Sequence, residues 1–157
     1  DLNTSWNVTE GKLEISSFAD IRKSPTQFAR IYDTNAQNNN EAIVHFVERS
    51  DSQDTSIVLN NQQGRPVQIE VNTAPPDNRK TGIGLGVNNV ALVVNGVVAG
   101  TDNSVDAYTD ATNTKPKDLF IGKSRNVDNY YLNVPIKRLT FWKTRLPDAS
   151  LINITQQ

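Results

Sequence analysis

Val90-Ala91-Leu92-Val93-Val94-Asn95-Gly96-Val97-Val98 decides how this chain is read. Two apolar, β-branched runs flank an Asn-Gly pair. That pattern marks a two-residue hairpin, because a type I′ turn needs positive φ at both central positions. Immediately upstream, Gly82-Ile83-Gly84-Leu85-Gly86 continues the extended pattern with side chains on one face only. A dinucleotide fingerprint would need G-x-G-x-x-G opening a helix. Here Val87 holds the third glycine's place and more strand follows. The bare face is therefore expected to admit a bulky group or another backbone at close range.

Outward from this hairpin the chain reads as strand almost throughout. Lys12-Leu13-Glu14-Ile15 and Val67-Gln68-Ile69-Glu70-Val71 alternate polar and apolar residues, as half-buried antiparallel strands do. Residues Gln27 to Tyr32, Ala42 to Val47, Thr55 to Leu59, Asp118 to Ile121 and Val134 to Trp142 complete the set, bounded by Asn, Asp, Ser or Gly. About ten short strands at this spacing predict an all-β, two-sheet antiparallel sandwich. One helix is expected, over Pro147 to Ile154, with Pro and Asp in its first turn. Leu151 and Ile154 would share the face that docks on the sandwich, since so short a helix is unstable alone. Two polar stretches, Asp33 to Asn40 and Thr101 to Lys117, read as loops. No linker divides the chain, so residues 1–157 form one domain.

The composition removes several functions. Among 157 residues there is no cysteine, no methionine and one histidine, against 19 asparagines. Disulfide frameworks, cysteine-ligated metals and thiol nucleophiles are excluded. The lack of methionine leads us to expect a processed chain or a domain of a longer protein. Basic and acidic residues number 16 and 17, which gives no electrostatic footprint for nucleic acid. The longest apolar run lies between Asn89 and Asn95, too short for membrane insertion. Charge is unevenly spread: residues 1–78 carry 6 basic and 11 acidic side chains, and residues 79–157 carry 10 and 6. Packed as opposite or interleaved sheets, the two halves would largely cancel each other's field.

At this point a family resemblance emerges. Trp6-Asn7-Val8-Thr9-Glu10-Gly11-Lys12-Leu13 resembles the W-x-x-x-E-G-x-L opening of laminin-G/concanavalin A-like jelly-roll domains of bacteriophage tail fibres and tailspikes. Ile83 to Ala99 resembles their paired strands ending in a V-N-G hairpin. Ile136 to Leu151 follows their closing pattern, I-x-R-L-x-x-W-x-x-R-L-x-D-A-x-L. The resemblance implies a jelly roll with a short C-terminal helix and a non-enzymatic role in host-surface attachment on the virion, outside the cell. It implies bacterial surface polysaccharide or lipopolysaccharide as partner and a homotrimer within a fibre. Alternatives are a structural or trimer-assembly module without ligand, a glycan-degrading enzyme, and a cellular laminin-G adhesion module.

Candidate sites follow from side-chain chemistry. Exposed aromatics stack on sugar faces while Asn and Asp bond hydroxyls. Tyr108 and the run Asp128-Asn129-Tyr130-Tyr131 are the carbohydrate-binding candidates. No catalytic residue is assigned. Two-carboxylate glycoside hydrolysis needs a close acid/base pair, and only Glu10 and Glu14 stand near each other, Glu10 in a turn and Glu48 alone. His45 lies on a strand and no G-x-S-x-G accompanies it. No cofactor is required. Calcium, which some laminin-G relatives hold, would find hard oxygens at Asp33, Asn35, Asp102 and Asp106, but no ligand loop is complete, and solvated polar loops are the expectation.

Overall fold

The computed structural model describes residues 7–9, 12–22, 30–35, 42–46, 56–61, 64–70, 78–86, 88–104, 118–123 and 131–156. They form two antiparallel sheets and one helix. The first sheet runs β1 (Asn7–Thr9), β2 (Lys12–Arg22), β7 (Asn78–Gly86), β8 (Asn89–Val94), β9 (Val97–Asp102), with β11 (Ile136–Trp142) also pairing with β2. β1 takes Lys12 to Glu14 and β11 takes Ser16 to Ile21, so they succeed each other along one edge of β2. The second sheet runs β10 (Asp118–Ile121), β3 (Arg30–Asn35), β4 (Ala42–Phe46), β5 (Ser56–Asn61), β6 (Gly64–Glu70). Helix α1 spans Asp148–Gln156.

Asn95 and Gly96 take the left-handed backbone that the hairpin turn demands, at φ 47° and 80°. The Asn95 amide donates to the Lys80 carbonyl (2.8 Å), and its side-chain oxygen accepts from the Lys80 amide (2.8 Å). The turn is thereby tied to the start of β7 as well as to its own strands.

Alternation divides β7 between two faces. Ile83 and Leu85 join Ala19, Ile21, Ile31, Tyr32, Ile69, Val90 and Leu92 in the core between the sheets. At the β10/β11 side the core is closed by Tyr32 and Phe141, edge to face at 5.2 Å, and by a Ser17 Oγ–Tyr32 Oη hydrogen bond of 2.8 Å. Burial pushes the Tyr32 phenol pKa well up, outweighing the opposite pull of the Ser17 bond. At the β6/β9 side the sheets come so close that a Cβ on Gly100 would stand 2.5 Å from Ile69 Cγ2.

Three local expectations change. β2 extends to Arg22 because β7 and β11 supply backbone partners on both sides of it. The strand expected over Gln27 to Tyr32 is found at Arg30–Asn35, so Asp33 and Asn35 are strand residues instead of loop tips. Asp33 pairs with Val44 and Phe120, Asn35 pairs with Asp118, and Thr34 between them is fully buried. Pairing from two neighbours has overridden a turn-favouring composition. On α1 the fully buried pair is Leu151 and Thr155, one turn apart, with Ile154 only half-buried.

Candidate functional site

The glycine stripe is the first candidate to settle. Gly82, Gly84 and Gly86 form the outer face of β7, and the C-terminal segment lies on it. A Cβ on Gly82 would meet Thr155 Cγ2 at 3.1 Å, one on Gly84 would meet Arg145 Cζ at 2.9 Å and Leu151 Cδ1 at 3.0 Å, and one on Gly86 would meet Arg145 Cγ at 3.2 Å. The bare face accepts a helix and an arginine, in line with its reading as a close-approach surface.

Arg145 is held at both ends of that seat. Its Nη2 donates to Asn89 Oδ1 (2.9 Å), Nε reaches the Asn89 carbonyl (3.3 Å), and Nη1 donates to the Leu146 carbonyl. Asp148, in the first turn of α1, forms an ion pair with it. The Leu146 amide donates to Ser16 Oγ (2.7 Å), and the Leu151 amide bonds the Pro147 carbonyl. The Arg-Leu-x-Asp run thus orients α1 and locks it onto β2 and the start of β8. Its contacts among the described residues are internal, an architectural role.

Among the sugar-contact candidates, Tyr108, Asp128, Asn129 and Tyr130 lie outside the described residues, as does Asp106 among the metal candidates. Tyr131 is described and is 43% exposed. Its neighbour Leu132 donates its amide to the Gly122 carbonyl (2.8 Å), and the Gly122 amide donates to the Ile31 carbonyl (2.9 Å). Tyr131 is therefore set beside the end of β10, where Ile121 is 53% exposed and Lys123 is also exposed. Sequence reasoning did not single out Ile121 or Lys123. A Gly in left-handed conformation (Gly122, φ 71°) directly after a strand was the available signal.

Asp102 closes β9. Its Oδ1 accepts from the Ser104 amide (2.9 Å) and the Ser104 hydroxyl (2.8 Å), a local turn that uses the carboxylate structurally. Asp102 stands on β9 and Asp33 and Asn35 on β3, strands of different sheets. Among the described residues no group of three His, Cys, Asp or Glu could hold a metal ion. Trp142 is half-buried on β11, opposite Ser16. Glu14 lies in β2, whereas Glu10 and Glu48 fall outside the described residues. No described helix is long and apolar enough to cross a membrane.

No protein-family model matches the chain, and no curated protein matches it in sequence. Its likeness is to solved structures. The CBM40 domain of the Ruminococcus gnavus IT-sialidase bound to α2,3-sialyllactose superposes with TM-score 0.73 at 13% identity, over 90% of this chain and 82% of that one. The leech intramolecular trans-sialidase gives 0.73 at 13%, over 91% of this chain and 23% of that one. Botulinum neurotoxin type C, whose cell entry depends on two ganglioside molecules, gives 0.65 at 16%, over 98% and 38%. At such identities the correspondence is one of fold. The chain is a two-sheet antiparallel jelly roll with a short C-terminal helix, similar over nine-tenths of its length to carbohydrate-binding domains of that architecture.

Proposed function

We propose that the chain is a non-enzymatic glycan-binding module. The observation that carries this is the fold correspondence along nearly the whole chain with a CBM40 domain solved with α2,3- and with α2,6-sialyllactose. The sandwich supplies a rigid platform, and surface residues at its strand ends supply recognition. Tyr131 is the described candidate for sugar stacking. We further propose that the module serves a bacteriophage tail fibre or tailspike on the virion, attaching it to polysaccharide or lipopolysaccharide of a bacterial surface. The support is the W-x-x-x-E-G-x-L opening at Trp6 to Leu13 and the closing pattern over Ile136 to Leu151. A homotrimer would raise weak single-site affinity by avidity. Screening the chain on an array of bacterial polysaccharides and sialylated oligosaccharides tests the reading. Saturable binding that Tyr131→Ala weakens is expected, and a blank array would overturn it.

A second reading is favoured by Val97 and Val98, 68% and 40% exposed on the edge strand β9. Apolar side chains on an exposed edge suit subunit contact, as a trimer-assembly module without ligand would need. Sedimentation of the chain and of Val97→Lys separates the two. A trimer lost on substitution, together with the blank array, selects assembly.

A further inference from the structure

The β8–β9 turn places a chemically fragile dipeptide under the end of α1. Asparagine is among the thermolabile residues, and the chain holds one Asn-Gly pair, Asn95-Gly96. Its weakness is self-attack. The nitrogen of the next residue adds to the side-chain carboxamide, and a glycine offers that nitrogen with no side chain in the way. Asn95 is exposed, open to the solvent base and water that the reaction uses.

Each group that the reaction must free is tied. The attacking nitrogen has to give up its proton, and the Gly96 amide donates that proton to Thr155 Oγ1 (3.0 Å). Thr155 is itself fixed, 1% exposed, with its hydroxyl donating to the Leu151 carbonyl (2.8 Å). Gln156 closes over the same glycine, so that a Cβ on Gly96 would collide with Gln156 Cγ. The carboxamide has to swing onto Gly96, yet its Oδ1 accepts from the Lys80 amide (2.8 Å), and the Asn95 amide donates to the Lys80 carbonyl (2.8 Å). The two Lys80 bonds lie within the sheet. The Thr155 and Gln156 contacts come from the helix and are lost when it lifts. A hydrogen-bonded amide stays shielded from base until a local opening frees it.

We propose that Asn95 is a self-modification site gated by α1, intact while the helix is docked and converted to an acid once the helix lifts. Solvent base takes the Gly96 amide proton, the Gly96 nitrogen bonds to Asn95 Cγ, and the Cγ–Nδ2 bond breaks. Ammonia leaves with a proton returned from solvent. Water then opens the cyclic imide. Cleavage of the new bond gives aspartate, and cleavage of the original peptide bond gives isoaspartate, with the chain routed through Cγ. Aspartate keeps an oxygen for the Lys80 amide. Isoaspartate adds a backbone carbon to a two-residue turn whose flanking Val94 and Val97 are directly paired, and so shifts Gly96 away from Thr155. An excursion of the helix is thereby recorded, and its return is made harder.

The test incubates the full chain in mildly alkaline buffer and follows the amide-to-acid mass gain at Asn95 by peptide mass spectrometry. It compares the folded parent, the urea-unfolded parent, Thr155→Val, Thr155→Ser and Gln156→Ala. Thr155→Val keeps a methyl over Gly82 but loses the acceptor, and Thr155→Ser keeps the acceptor. Gln156→Ala strips the cover from an exposed position and leaves the core untouched. Asn103, exposed just beyond β9, is the internal reference. The folded parent should convert at Asn95 about 100-fold more slowly than the unfolded chain. Thr155→Val should convert about 5- to 20-fold faster than the folded parent and Gln156→Ala about 2- to 3-fold faster. Thr155→Ser should match the parent, with Asn103 unchanged throughout. Conversion of the folded parent at the unfolded rate, of Thr155→Val at the parent rate, or of Thr155→Ser at the Thr155→Val rate overturns the proposal. So does an equal rise at Asn103, which marks general unfolding. If Thr155→Val does not fold, Gln156→Ala takes its place, and conversion there at the parent rate overturns the proposal.

Discussion

Substituting Gly84→Ala is the sharpest probe of how the sandwich is capped. The new methyl would stand 2.9 Å from Arg145 Cζ and 3.0 Å from Leu151 Cδ1. Comfortable carbon contacts begin near 3.5 Å, so both neighbours must retreat by about 0.5–1 Å. A free arginine tip would swing away at little cost. This one is tethered to Asn89 and Asp148, and Leu151 is fully buried on a helix anchored at Pro147 and Thr155. Overpacking of this kind costs about 1–3 kcal/mol, partly offset by about 0.4–1 kcal/mol from a less flexible unfolded chain. A net loss of about 1–2 kcal/mol lowers Tm by about 2–8 °C in a domain of this size. Gly82→Ala, whose nearest neighbour is 3.1 Å away, should cost less. Leu151→Ala alone should cost about 2–5 kcal/mol, and in its background the Gly84→Ala penalty should shrink, because the methyl gains the vacated space. Thermal and urea unfolding of the four-member cycle measure all of this. A Gly84→Ala protein as stable as the parent, or strictly additive effects, would refute the claim that the stripe exists to seat Arg145 and Leu151.

Other outcomes follow from single contacts. The raised Tyr32 pKa means that the folded state holds the neutral phenol where the unfolded chain ionises, near pH 10. Stability from this source is complete below that pH and falls by about 1.4 kcal/mol per pH unit above it, up to the folded value. Urea titrations of the parent and Tyr32→Phe between pH 8 and 11.5 should show the steeper loss in the parent only. Arg145→Met keeps apolar cover over Gly84 but strips the Asn89 and Leu146 contacts; a loss of about 1–3 kcal/mol is expected, read by chemical unfolding. Gly100→Val drives side-chain atoms into Ile69, 2.5 Å from the nearest added carbon, and should lower Tm by several degrees, with partial rescue by Ile69→Ala.

Features set by local chemistry were legible in the sequence. The Asn95-Gly96 turn is where the Asn-Gly rule puts it, and the glycine stripe is a close-approach face. The helix starts one residue after Pro147. Features set by distant partners were not legible. Asp33, Thr34 and Asn35 look like a loop until β4 and β10 are known to lie on either side of them. Nothing in the identity of Thr155 announces that it, and not Ile154, is buried; its hydroxyl donates to the Leu151 carbonyl within the helix and accepts from the Gly96 amide, which only the docked helix brings within reach. Of the proposed sugar contacts, Tyr131 was readable as a turn-adjacent aromatic. The placement of Lys123 beside Phe120 and of Arg138 beside Phe18, one on each sheet, follows from strand pairing and not from local sequence. A list of charges along a chain cannot show which cations are paired with carboxylates and which rest on aromatic faces.

The seating of the C-terminal segment on β7 also bears on how the protein is made. Residues 145–155 meet strand residues 82–96, so the outer face of the sheet stays uncovered until the last tenth of the chain is available. During synthesis from the N-terminus both sheets can collapse first, but Gly82, Gly84 and Gly86 have nothing to pack against until Arg145 and Leu151 leave the ribosome. Docking of α1 then acts as the closing step, one that converts a loosely covered sheet into the finished domain. Limited proteolysis of ribosome-bound chains extended past residue 157 by linkers of increasing length should show resistance appearing only once residue 155 has cleared the exit tunnel. Resistance already present with residues 145–155 still inside would refute that order of events.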